Sequence, residues 1–176
     1  ETLLYGAYFI IPNTSANVAP RAFKAEGVIA PELICAVYTG TYRPTKSGRF
    51  RLFGRADDVL IVRINGKTVL DGSYSNSAYS RWNQPASAKR ADEKSPQSYF
   101  GLSEPGVSGN WFDLTAGRET QVEIVVAEVP GGNFGAYLLI EEEGQPGKQI
   151  FTTRPLGDKD KEFLKKSHPD AAQFIK

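Results

Sequence analysis

One cysteine and one histidine give this sequence few reactive side chains. Cys35 can form no disulfide within the chain, and its place in Leu33-Ile34-Cys35-Ala36-Val37-Tyr38 reads as a small buried apolar residue. His168 stands next to Pro169 near the end of the sequence, so a serine or cysteine nucleophile has almost no histidine base to activate it. Most hydrolase mechanisms fall away on that ground. No His or Cys metal cluster can be assembled, and no phosphate-cradling glycine loop precedes a helix. An excess of one charge is missing as well. With 21 Lys+Arg against 20 Asp+Glu, the field that would draw the chain onto nucleic acid or an anionic membrane is absent, so no nucleic acid partner is expected. The apolar runs fall well short of the roughly 20 residues a membrane helix needs, which argues against membrane insertion. Glu1 opens neither with Met nor with a charged start followed by an apolar stretch, the expectation for a processed or trimmed chain.

What the sequence does contain is punctuation and short β-prone runs. In 176 residues, 17 Gly and 11 Pro separate clusters of aromatic and β-branched residues, the pattern of an all-β domain with many turns. The expected strands are Leu3 to Ile11, Leu33 to Tyr42, Gly48 to Gly54, Val59 to Ile64, Lys67 to Asp71, Asn110 to Leu114, Thr120 to Val129 and Phe134 to Glu142. They would close an antiparallel β-sandwich or barrel over residues 1–150. Asn65-Gly66 between two apolar runs is the signature of a type I′ hairpin. Arg49 to Phe53 and Gln121 to Val125 alternate polar and apolar, as strands of a half-solvated sheet do, and Gly131-Gly132 reads as a hairpin turn. Residues 73–108 form a long polar insertion in which dispersed aromatics imply that part of it packs down. Residues 151–176 read as a tail of two short helices docking Phe163, Leu164, Phe174 and Ile175, with acidic residues early and Lys165 and Lys166 late, as the helix dipole favours.

Chemistry concentrates at Gly54-Arg55-Ala56-Asp57-Asp58-Val59, where the chain turns between strands. Neighbouring side chains on a regular strand point to opposite faces, so two aspartates meet on one cation only where the backbone between them is irregular. Two readings stand. Either the carboxylates converge and suit Ca²⁺, which takes about six to eight oxygen ligands, or one caps the turn while the other is a solvated surface charge. Paired acids of the protease or glycosidase kind need carboxyl groups set across a cleft, which one adjacent pair does not supply. Trp82 and Trp111 are candidate platforms for a sugar ring; Trp111, opening the run Trp111-Phe112-Asp113-Leu114, reads as core, and Trp82, in the polar insertion, reads as either platform or anchor. Arg55 and Arg81 are either solvated or ready to hold an anion.

These segments together resemble the protective-antigen-type domain, the PA-fourteen family. Leu4-Tyr5-Gly6-Ala7-Tyr8-Phe9 is similar to its opening strand. Thr39-Gly40-Thr41-Tyr42 and Ser47 to Leu52 lead into Ala56-Asp57-Asp58-Val59 and the Asn65-Gly66 hairpin, the most diagnostic stretch; Leu114 to Glu128 and Gly131 to Ile140 are similar to the closing segments. The likeness covers about residues 3–142 without the insertion. It implies a β-sandwich or barrel shared by toxins, glycosidase accessory domains and fungal adhesins. In sugar-binding members the aspartate pair, joined by a cis peptide, holds Ca²⁺ that coordinates sugar hydroxyls. By that resemblance Asp57, Asp58 and Glu128 are the metal ligands, and Asp57, Asp58, Trp82, Asn133 and Phe134 the carbohydrate contacts. Glu128 stands roughly where the family has an amide.

The expectation is therefore a non-catalytic, Ca²⁺-assisted carbohydrate-binding module of a secreted, periplasmic or cell-surface protein, serving adhesion. Its counterpart is a ligand-free structural or assembly domain in which the aspartates only shape a turn and the tail meets other domains or proteins.

Overall fold

The computed structural model describes residues 7–31, 33–74, 98–129 and 131–175. Along the chain these form β1 (Ile10–Ser15), β2 (Cys35–Tyr42), β3 (Gly48–Asp57), β4 (Val59–Ile64), β5 (Lys67–Asp71), β6 (Val107–Leu114), β7 (Thr120–Ala127), β8 (Asn133–Glu142), β9 (Gln149–Ile150) and helix α1 (Asp158–Ser167), with 3-10 turns at Ala16–Phe23 and Pro169–Phe174. The first sheet runs β1-β8-β3-β6, with β9 also on β8, and the second runs β2-β7-β4-β5. Every pairing between these strands is antiparallel. Two facing sheets make a β-sandwich; the sheets do not join into a closed barrel.

The sandwich interior is filled from both layers by Leu52, Ala56, Leu60, Val62, Val126, Phe134 and Leu138, all fully buried. Phe23, from the 3-10 turn, closes one side with its ring edge-on to Phe134 at 5.6 Å. A second core lies on the outer face of the first sheet. There Phe53, Tyr137 and Leu139 meet Phe100 and Leu102 from the end of the insertion and Leu164, Ala171 and Phe174 from the tail. The first sheet is thus covered on both faces. On the opposite flank the edges of β5 and β6 approach so closely that a Cβ on Gly109 would sit 2.1 Å from the Val69 carbonyl oxygen, a position open only to glycine.

The Asn65-Gly66 hairpin stands as expected, with φ of 49° and 76° reversing the chain from β4 into β5. Tyr99 and Phe100 show part of the insertion packing down. Helix α1 carries Asp158 and Asp160 in its first turn and Lys165 and Lys166 in its last, and the Asp160 carboxylate accepts the Gly157 amide at 3.0 Å.

Several expectations are corrected. The first strand runs on to Ser15, past the expected end at Ile11, because the chain carries on through Pro12 along an edge where a missing amide is tolerated; residues 3–6 of the expected strand lie outside the described residues. The strands of Arg49 and Gln121 belong to different sheets, and from Leu52 onward β3 is buried on both faces. Gly131-Gly132 turns the chain from one sheet to the other, so it is a crossover and not a hairpin. Cys35 is exposed, since strand alternation turns Ala36 and Tyr38 inward in its place. Trp111 faces outward opposite Arg51, whose guanidinium lies 4.7 Å from its ring centre, while Phe112 takes the inward position. Phe163 is 57% exposed, and its neighbour Leu164 alone of the two turns into the core.

Candidate functional site

Two chain crossovers meet at one end of the sandwich. β3 of the first sheet passes to β4 of the second through Asp57-Asp58, and β7 returns to β8 of the first through residues 128–132. The Asp57-Asp58 peptide is cis, the form the resemblance implies. Backbone bonds hold this corner from two sides. The Asp58 amide donates to the Ala127 carbonyl at 3.4 Å, and the Asp58 carboxylate accepts the Val129 amide at 2.8 Å. On the other side the Asp58 carbonyl accepts the Tyr74 amide at 2.6 Å and the Ala56 amide donates to the Gly72 carbonyl at 2.9 Å. Leu60 donates its amide to the Ser73 hydroxyl, and buried Asp71 accepts the Ser73 amide at 3.1 Å.

Within this frame the two aspartate side chains interact directly. Burial, the Asp58 charge, a hydrogen bond with Asp58 and the Glu104 charge, in that order, push the Asp57 carboxyl up to about 6. Both aspartates remain half-exposed. Hard carboxylate oxygens crowded at a half-open mouth are a donor set that a hard divalent cation suits, because its charge would offset both their burial and their mutual repulsion.

The remaining expected site residues separate. Glu128 is 3% exposed and its amide is tied to the Ile34 carbonyl at 2.8 Å. Among the described residues no three His, Cys, Asp or Glu side chains gather closely enough to hold a metal ion, so Glu128 does not join the aspartate pair as a third carboxylate. Its burial between the β2 entry and the β7 exit accounts for that. Phe134 is wholly buried against Phe23 and cannot stack on a ligand; strand alternation turns it inward one residue after exposed Asn133. Asn133 starts β8 opposite Ser15. Trp82 and Arg81 lie outside the described residues.

Arg55 is not solvated, and the anion it holds is this chain's own Glu104 carboxylate. Buried to 5% exposure, it donates to the Ser73 carbonyl at 2.6 Å and the Pro105 carbonyl at 2.7 Å, and pairs with Glu104 at 3.3 Å. It clasps the start and the end of the insertion beside the aspartate corner. The only signal in sequence was its place two residues before the acidic pair, which does not say what lies 50 residues away.

The sequence matches no family model and no curated protein. The fold does match solved structures, and it is the PA14 fold. It is similar to the PA14 sugar-binding domain from an RTX adhesin at a TM-score of 0.54 and 18% identity, over 84% of this chain and 73% of that one. It is similar to the PA14 domain of the antifreeze protein MpAFP at 0.52 and 14%, over 84% and 68%. An anti-sigma factor domain-containing protein from Clostridium clariflavum matches at 0.50 and 15%, over 84% of this chain but only 41% of its own. Identities this low speak to the fold alone, and one fold hosts many functions. Among the described residues no helix is long and apolar enough to cross a membrane.

Proposed function

We propose that this chain is a non-catalytic carbohydrate-binding domain of a secreted or surface protein, with Ca²⁺ held at the Asp57-Asp58 corner. The observation that carries this reading is the meeting of two half-exposed carboxylates where two inter-sheet crossovers converge. The PA14 fold and its occurrence in a sugar-binding adhesin domain support it. Asp57 and Asp58 would hold the ion, with backbone oxygens and the Asn133 amide at the neighbouring crossover as the remaining donors within one loop of it. The ion would supply coordination sites for vicinal sugar hydroxyls.

Calcium should raise the melting temperature of the wild-type chain by mass action, about 2.7 kcal/mol of stabilisation at a hundredfold excess over Kd. Asp57→Ala with Asp58→Ala should abolish that rise, and binding on a glycan array should disappear with chelator. A wild-type chain that ignores calcium and every glycan would overturn the proposal.

A second reading rests on a specific observation. Asp58 already accepts the Val129 amide and offers its carbonyl to Tyr74, so it also holds the corner together. If that is its whole role, the domain is structural, and the double alanine variant should lose stability equally with and without calcium.

A further inference from the structure

Exposed sheet edges invite pairing with other chains, and proteins protect them with proline, charge, bulges or a covering element. Three of the four edges here are protected. β1 contains Pro12 and a register break between Ile11 and Thr14. β5 and β6 cover each other at Gly109 and Val69, and each carries charge, Lys67 and Asp71 on one and Asp113 on the other.

Among the described residues β2 has none of these devices. Its eight residues, Cys35–Tyr42, include no charged side chain and no proline, and they pair with β7 without a register break from Cys35 opposite Ala127 to Tyr42 opposite Thr120. Among the described residues no strand pairs with its other side. Two exposed apolar side chains, Val37 at 55% and Tyr42 at 39%, lie on this strand and a third, Leu33 at 71%, lies on its approach. The first charge beyond the strand is Arg43, paired with Glu119 at 2.5 Å.

We propose that the free edge of β2 is a pairing surface for β2 of a second copy of this chain, joining two four-stranded sheets into one across a two-fold axis. An open strand edge specifies an extended strand as its partner, because only that geometry meets a row of backbone donors and acceptors. β2 is itself such a strand, uncharged and uninterrupted, so two copies satisfy each other in an isologous contact that closes. Antiparallel pairing about an axis normal to the sheet keeps the outward residues Cys35, Val37 and Thr39 on one face in both copies, which puts the two Val37 side chains in the same row. It also sends the two Arg43 side chains to opposite ends, where like charges do not meet. The contact uses no side chain of the aspartate corner and stands independently of the sugar reading.

Sedimentation and light scattering over a dilution series test this. The wild-type mass should rise from 19.3 kDa toward twice that value with concentration, and the β2 amides that face away from β7 should exchange hydrogen more slowly as it does. Val37→Lys and Thr39→Lys, both at exposed positions, should return the mass to that of the monomer while leaving the melting temperature at low concentration unchanged. A wild-type chain that stays monomeric at every concentration overturns the proposal, as does a dimer that both lysine variants leave intact.

Discussion

Besides the long passage from β1 to β2, two short corners carry the chain from the first sheet to the second, one at each end of the sandwich, and they are built from different chemistry. Between β6 and β7, residues 115–119 turn with Gly117 at φ 72°, its amide on the Pro44 carbonyl and the Ala116 amide on the Ser47 hydroxyl. The 115–119 turn carries a charged link in the exposed Arg43 to Glu119 pair. Between β3 and β4 the same topological step is made with two touching carboxylates, Glu104 nearby and a buried arginine behind them. A sandwich needs the crossover but not the charge. Asp58 has a part in the scaffold through the Val129 amide, and the charge crowded beside it is what the proposed cation would balance.

The sharpest way to separate the corners is through their arginines. Arg55→Ala removes a buried guanidinium that bonds Ser73, Pro105 and Glu104, leaving two carbonyls and a carboxylate short of a donor; the expected loss is about 3–5 kcal/mol by chemical denaturation. Arg43→Ala breaks an exposed pair at the other corner and should cost no more than about 1 kcal/mol. Equal losses would show that burial at the aspartate corner has no special weight.

Acidity gives the next contrast. Asp57 titrates near 6 in the folded chain against an ordinary value of 3.8, so the folded state binds the proton more tightly than the unfolded one. The associated stability is fully present below about pH 4 and is lost as pH rises through 6. Half-exposure screens the effect to about 1–2 kcal/mol. In calcium-free buffer Asp57→Asn should remove this component from the stability profile between pH 4 and 7 and leave the variant the more stable protein at neutral pH. A variant profile that parallels the wild type would mean that the carboxylates do not sense each other.

How far this was legible in the sequence depends on whether a feature is local. The Asn65-Gly66 hairpin and the acidic pair could be read directly, because a turn type and an adjacency are properties of a few consecutive residues. The phase of a strand is not. Trp111 and Phe112 are both apolar neighbours, and only the pairing of β6 with β3 decides that Trp111 lies under Arg51 while Phe112 enters the core. Phe134 sits in β8, where the tail covers the outer face of the sheet, so seven successive residues are apolar or Gly and no alternation marks which side faces water. Arg55 was unreadable for another reason: its partners at Ser73, Glu104 and Pro105 are 18 to 50 residues away and lie at the two ends of an insertion.

The smallest effect tests the quiet corner alone. Gly117 has open space where a Cβ would go, so Gly117→Ala meets no clash and costs only the backbone penalty of an L-residue at φ 72°, about 1 kcal/mol. Thermal melting should show that loss with or without calcium, in the same measure. If instead the substitution weakened the calcium response, strain at one end of the sandwich would be reaching the other, and the charged corner could no longer be treated as a site separable from the scaffold that carries it.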